Sequence, residues 1–342
     1  MDSGRQLTWL GGIVGAAVLI GTLVGPAVAF GLSQLPRDVS VAGVEMDLPG
    51  YVARKGYPSV LSRVIMVLAV AGVIVFHRRL VPSGVGRVGL GNIGLSAPAG
   101  AAAADFAAGA VIGLMVLGAL LAVKFCVGEF VWSPDPADEL ALRLVKAGVG
   151  CLLIAVIEEV GFRGLLLGGL RRELGTAAGV VACNVVFAGA HCLRQVKRRD
   201  MVVDGPWDVA ASWECVAEFL GGSAAAPVET AMTFVSLFLF GLLTTYAAMR
   251  RGHLYLAMGL HAATAFFVQV NPSVRDVSPA FDSERWFWLL GGTSIKPGLI
   301  VPIAMLVAGV LTAVWCRLRP APTPADAPAG GEPEFDAARP PA

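Results

Sequence analysis

Apolar residues in this chain gather in long, nearly unbroken runs, without the alternation of a half-exposed strand or the polar stripe of a water-facing helix. About eight runs reach a length that suits a membrane span: 7–30, 60–76, 106–126, 147–169, 177–191 and a little beyond, 230–249, 254–270 and 299–316. Lipid offers no partner to backbone N–H and C=O groups, so each run is predicted to be helical. The expected fold is therefore all-α, a polytopic transmembrane helical bundle of about eight spans occupying 1–319, with a core at 147–270. The first run is about 24 residues long, which suits a retained span better than the shorter apolar region of a cleaved signal.

Polar residues punctuate these runs in an ordered way. His77-Arg78-Arg79, Arg171-Arg172, Arg250-Arg251 and Arg317–Arg319 fall on one side of the expected bundle, and the acidic 129–139 segment on the other. The positive-inside rule then predicts that both termini are cytoplasmic. The 193–229 loop dissents, since it carries Arg194, Lys197, Arg198 and Arg199 on the outer side; with Trp207 and Trp213 it is expected to lie along the membrane surface, a miscounted span being the competing explanation. Lys124 and Arg63 stand near span ends, where a long side chain can snorkel to water. Two stretches read as unstructured: the Gly- and Ala-rich 83–103 segment and the Pro-, Ala- and acid-rich tail at 320–342. Trp286 and Trp288 suit an interfacial belt.

Composition agrees with this picture. Of the residues, 56% are hydrophobic and 15% charged, with a mean hydropathy of +0.71, whereas a soluble domain carries about 25% charged residues. A net charge of +1 leaves no basic footprint for nucleic acid. The expected partner on this ground is the lipid bilayer. Cys126, Cys151, Cys183, Cys192, Cys215 and Cys316 lie mostly in or beside apolar runs without a C-x-x-C pair, as small hydrophobes do. Richness in Ala, Gly, Val and Arg points to a GC-rich bacterial genome, and hence to a bacterial cell membrane.

Against this background a few ionisable residues inside the apolar runs carry the chemical interest. The fourth run holds Glu158-Glu159-Val160-Gly161-Phe162-Arg163. Each ionised residue at mid-membrane costs about 2.5–3.5 kcal/mol on insertion scales, so such a cluster needs internal compensation. Glu159 and Arg163 are four apart on one helical face and can pair. Glu158 points about 100° away, and a desolvated carboxyl group there has the chemistry of a general base. The fifth run contributes Phe187-Ala188-Gly189-Ala190-His191, and the seventh contributes His261. The depths of the three runs are compatible, so Glu158, His191 and His261 could meet in one hydrated cavity.

Glu-Glu-x-x-x-Arg, then Phe-x-x-x-His, then a later membrane His, in that order, resemble the motifs of the CPBP family, which includes type II CAAX prenyl endopeptidases and bacteriocin-processing or immunity proteins. The resemblance covers about 147–269 and implies a membrane-associated peptide or protein as substrate. It implies that Glu158 and His191 activate water for attack on a peptide carbonyl, that Glu159 and Arg163 shape the site, and that His261 stabilises the oxyanion. The family commonly has Asn four residues after the last His; here Ala265 stands there, beside Thr264.

Other assignments stay open. Glu159 with Arg163 could be a structural ion pair, and Glu158 a protonated residue hydrogen-bonded in the bundle. No cofactor is expected, although Glu158, His191 and His261 could together hold zinc and leave a water site open; no His-Glu-x-x-His element is present. His77 and His253 flank span ends beside arginines and read as interfacial. Gly161, Gly164, Gly168, Gly169 and Gly189 read as packing residues. A non-enzymatic role, as a proton-coupled transporter or a peptide-resistance scaffold, also fits an intramembrane carboxylate.

Overall fold

A computed structural model describes residues 3–36, 39–41, 44–46, 49–50, 52, 56–75, 93–193, 204–225, 227–290 and 298–319. His77, Arg78 and Arg79, the basic cluster at 194–199 and the tail at 320–342 lie outside the described residues. Helices dominate, as the apolar runs require. Two short antiparallel ribbons add the few strands: β1 (Val39–Val41) with β2 (Val44–Met46), and β3 (Phe130–Trp132) with β4 (Arg275–Val277).

The chain groups into two compact units. The first, Met1–Val85 with Ala190–Pro227, contains α1 (Ser3–Gln34) and α2 (Tyr57–Val75) packed together. It also contains α7 (Val209–Ala225). This helix is a departure from expectation, because its Ser, Glu and Gly residues hide it among loop-like composition. One face of α7 buries Ala211, Ser212 and Cys215, and Ser212 Oγ lies 2.5 Å from the Tyr57 hydroxyl. Trp207 and Trp213 are exposed.

The second unit, Gly86–Gly189 with Val228–Ala342, is built on α3 (Ala99–Cys126). α3 starts within the 83–103 stretch that reads as unstructured, since Ala-rich sequence is an excellent helix former. A long rod follows: α4 (Ala137–Glu159), a π-helical segment (Val160–Leu166) and α5 (Leu167–Leu174). α6 (Thr176–Leu193) leads out of it. α8 (Pro227–Arg251), α9 (Tyr255–Val270), α10 (Ser283–Leu290) and α11 (Ile300–Leu318) complete the fold.

Among the described residues five helices are long and apolar enough to cross a membrane: Gly11–Gln34, Ala99–Cys126, Ala137–Leu174, Pro227–Arg251 and Ile300–Leu318. The second, fifth and seventh predicted spans are helices too, but shorter or less continuous. At 16 residues, α9 reaches only about 24 Å at 1.5 Å per residue, less than a hydrocarbon core of about 30 Å.

α9 is the centre of the second unit. It packs on α3 and α4, and Leu256, Ala257, Met258, Leu260 and His261 on it are buried. The α3–α9 approach is backbone to backbone. A Cβ at Gly259 would collide with the Phe106 carbonyl, and one at Gly109 with the Leu256 carbonyl. Small residues at a helix contact permit this closeness. Of the glycines singled out by sequence, Gly164 meets the Ile93 carbonyl, whereas Gly161 and Gly189 face open space.

Both ends of this unit are tied by buried charge. Lys124 does not snorkel: it is fully buried and donates to Glu129 Oε1 at 2.9 Å and to the Leu290 carbonyl at 2.6 Å. Arg275 stacks 3.5 Å from the Phe130 ring centroid beside it. At the other end Asp105 accepts from Arg251 Nε at 2.5 Å and Trp315 Nε1 at 2.8 Å, with His253 Nε2 at 3.2 Å. His253 is therefore buried inside the unit and not interfacial, because Asp105 supplies the partner that an apolar interior otherwise lacks.

Candidate functional site

α4 presents Glu158 and Glu159 on its last turn, immediately before the helix loosens into the π-helical segment. π-helical turns are rare and recur at functional sites, because the widened turn redirects side chains. Arg163 lies inside this turn and still reaches back to Glu159, with its Nη1 3.1 Å from Glu159 Oε1. Glu159 and Arg163 are both fully buried, so each charge depends on the other for stabilisation.

His261, on the buried face of α9, stands against both carboxylates. Its Nδ1 lies 2.7 Å from Glu159 Oε1, and its Nε2 lies 3.7 Å from Glu158 Oε2. Since Glu159 is ion-paired, it accepts from His261, which places a proton on Nδ1 and turns Nε2 toward Glu158. Phe187 and Phe240 wall the imidazole edge to face, at centroid distances of 6.2 and 5.4 Å. Glu158 and His261 keep 9% and 5% of their surface exposed, unlike Glu159 and Arg163 at 0%. All four residues are buried, Glu159 and Arg163 completely.

Four of the five residues picked out by sequence thus converge within the second unit: Glu158, Glu159, Arg163 and His261. His191, half-buried near the end of α6, belongs to the first unit. Ala265 and Thr264 are half-buried one turn beyond His261 on α9. Among the described residues no three His, Cys, Asp or Glu side chains are arranged to hold a metal ion. His261 in particular has its Nδ1 committed to Glu159.

Sequence reasoning missed the far side of Arg163. There Nη2 donates to the Gly241 carbonyl at 3.2 Å and to Asn184 Oδ1 at 3.4 Å, while the guanidinium lies 4.4 Å from the Phe187 ring centroid. Asn184 and Thr245 are buried, uncharged and unremarkable in sequence, and Gly241 looks like any helix glycine. Only the i, i+3 spacing of Asn184 and Phe187 on α6 could have hinted at a shared face.

The fold and site define a polytopic helical membrane protein with an ionisable Glu–Glu–Arg–His cluster inside its bundle. Residues 140–267 match the family model described as type II CAAX prenyl endopeptidase Rce1-like. Over that segment the chain is similar to this family, in agreement with the resemblance carried by its Glu-Glu-x-x-x-Arg, Phe-x-x-x-His and later His motifs. No curated protein and no solved structure matches.

Proposed function

We propose that this protein is an intramembrane endopeptidase that cleaves a lipidated or membrane-tethered protein or peptide near its C-terminus. The observation that carries this is His261 set between two buried carboxylates, Glu159, which is ion-paired with Arg163, and Glu158. Glu158, with His191, takes a proton from a water whose oxygen attacks the peptide carbonyl carbon. The oxyanion so formed is stabilised by His261, whose Nε2 donates when the ring is doubly protonated; a fixed donor of this kind is worth about 3–4 kcal/mol. Collapse of the tetrahedral intermediate breaks the C–N bond, and the proton held by Glu158 passes to the leaving amine. Glu159 holds the imidazole by Nδ1, and Arg163 neutralises Glu159. His191 stands four residues after Phe187 on α6, a spacing that shares one helix face.

The mechanism needs no metal, and activity is expected to survive strong chelators; loss on chelation with recovery on adding zinc would replace it with metal-assisted hydrolysis. Both termini are cytoplasmic in this proposal, in a bacterial membrane. The substrate is found by comparing C-terminal peptides of membrane proteins from cells with the wild-type protein and with Glu158→Ala. Peptides retained only in the variant identify it; identical peptide sets would defeat the proposal.

One observation favours a second reading. Ala265 stands where the family commonly has Asn, so one oxyanion donor is missing from that position. A silent member acting as a proton-coupled transporter or peptide-resistance scaffold would show Glu158-dependent proton flux in proteoliposomes without peptide cleavage.

A further inference from the structure

Glu159 Oε1 serves two partners at once, Arg163 Nη1 and His261 Nδ1. The position of the imidazole therefore follows the position of the guanidinium. What holds the guanidinium is a small uncharged cradle built from α6 and α8. Asn184 Nδ2 donates to the Val180 carbonyl at 2.9 Å, one helical turn back, which turns Oδ1 toward Arg163 Nη2. Thr245 Oγ1 stands 3.2 Å from Asn184 Nδ2 and 3.3 Å from Oδ1, bracing the amide from the side. Gly241 leaves room for this arrangement: a Cβ there would collide with Asn184 Oδ1 and crowd the Phe187 ring. Its carbonyl, the other acceptor for Arg163 Nη2, also accepts from Thr244 Oγ1 at 3.2 Å.

We propose that Asn184, braced by Thr245 and given space by Gly241, is a positioning residue that sets where His261 stands by fixing Arg163 and, through it, Glu159. This rests on the endopeptidase proposal. Asn184 has no contact with Glu158 or His261 among the interactions described, so its effect travels through the Arg163–Glu159 pair. Without its oxygen the guanidinium keeps only the shared Gly241 carbonyl on that side and can slide over the Phe187 face. Glu159 then shifts, and the Nδ1 hydrogen bond that holds the imidazole lengthens. Displacements of this size matter, because a misplacement of about 1 Å can cost about 100-fold in rate.

The test uses the full-length protein in proteoliposomes, with a fluorogenic farnesylated C-terminal peptide and an unprenylated, lipid-tethered peptide as probes. Asn184→Ala is expected to lower kcat by about 10- to 100-fold with KM little changed, and to move the pH profile of kcat, because the Glu159–His261 pair is disturbed. Thr245→Val should produce a smaller change of the same kind. Asn184→Asp, which keeps the shape but sets an anion beside Arg163, should draw the guanidinium from Glu159 and also lower kcat while the protein stays folded. A pH profile and kcat per folded molecule equal to wild type in Asn184→Asp and Thr245→Val would overturn the inference. Glu158→Ala and His261→Ala are run alongside. If these two cleave as well as wild type, the endopeptidase proposal itself fails; if they are dead while the Asn184 and Thr245 variants behave as wild type, only the positioning role fails.

Discussion

His261 Nδ1 and Glu159 Oε1 are 2.7 Å apart in the buried centre of the second unit, although 102 residues separate them in sequence. The carboxylate belongs to the end of α4 and the imidazole to the middle of α9. Their contact orients the ring that faces Glu158, and the following expectations come from that arrangement and its supports.

Replacing Glu159 by Gln keeps the size but removes the charge that selects the Nδ1–H form of His261. The wrong tautomer in a comparable carboxylate–imidazole pair costs about 10⁴-fold, and a loss of about 100- to 10,000-fold in kcat is expected here. Single-turnover cleavage of the tethered peptide measures it. Wild-type turnover in the variant would mean that the ion pair is structural only.

Arg163 is the buried counter-charge. Arg163→Ala leaves Glu159 ionised without compensation and should destabilise the protein by about 3–5 kcal/mol. Arg163→Lys should recover only part of this, since one ammonium cannot serve Glu159, Gly241 and Asn184 in the same plane. Thermal unfolding in detergent reports both. The double variant Arg163→Met with Glu159→Gln should be more stable than Arg163→Ala, because no charge is left unmatched.

Gly259 and Gly161 make a matched comparison on neighbouring helices. Gly259→Ala drives a methyl group into the Phe106 carbonyl, where the neighbour is backbone and cannot yield cheaply, so a cost of about 1–3 kcal/mol is expected. Gly161→Ala meets open space and should be tolerated. Equal melting temperatures for the two variants would contradict the close α3–α9 contact.

Glu129, beyond the end of α3, has its carboxyl held above the ordinary Glu range, chiefly by desolvation and against the pull of Lys124. The folded protein therefore keeps that proton to higher pH than the unfolded chain does. The stability this group contributes is fully present below the unfolded pKa and is lost as pH rises through the folded one. Glu129→Gln should remove this dependence, so the melting temperatures of wild type and variant should diverge as pH climbs through and above the usual Glu range. Parallel curves would show that Glu129 titrates normally.

Ala265 offers a gain-of-function test. If the missing donor limits turnover, Ala265→Asn should raise kcat, by up to about 10-fold, with KM little affected. A fall in kcat with intact folding would show that this chain has rearranged its oxyanion stabilisation around the smaller residue.

Much of this protein is legible along the chain. Lipid forces backbone hydrogen bonds to close locally, so an apolar run of sufficient length means a helix wherever it stands. The same solvent makes Glu158, Glu159, Arg163 and His261 conspicuous, because ionisable groups are too costly in that setting to be incidental. α7 escaped notice since its sequence resembles a loop, and α3 began earlier than expected because Ala and Gly read as either helix or linker.

Tertiary structure decided everything that depends on which helices touch. The burial of Lys124 and His253 goes with the Leu290 carbonyl and Asp105, each brought to it from a distant part of the sequence. The π-helical turn after Glu159 has no signature in the apolar pattern of the sequence. Asn184, Gly241 and Thr245 became a cradle only once α6 and α8 met beside Arg163. Hydropathy and charge are properties of single residues and survive in a one-dimensional string, whereas a hydrogen bond between neutral side chains exists only in the geometry that brings them within about 3 Å.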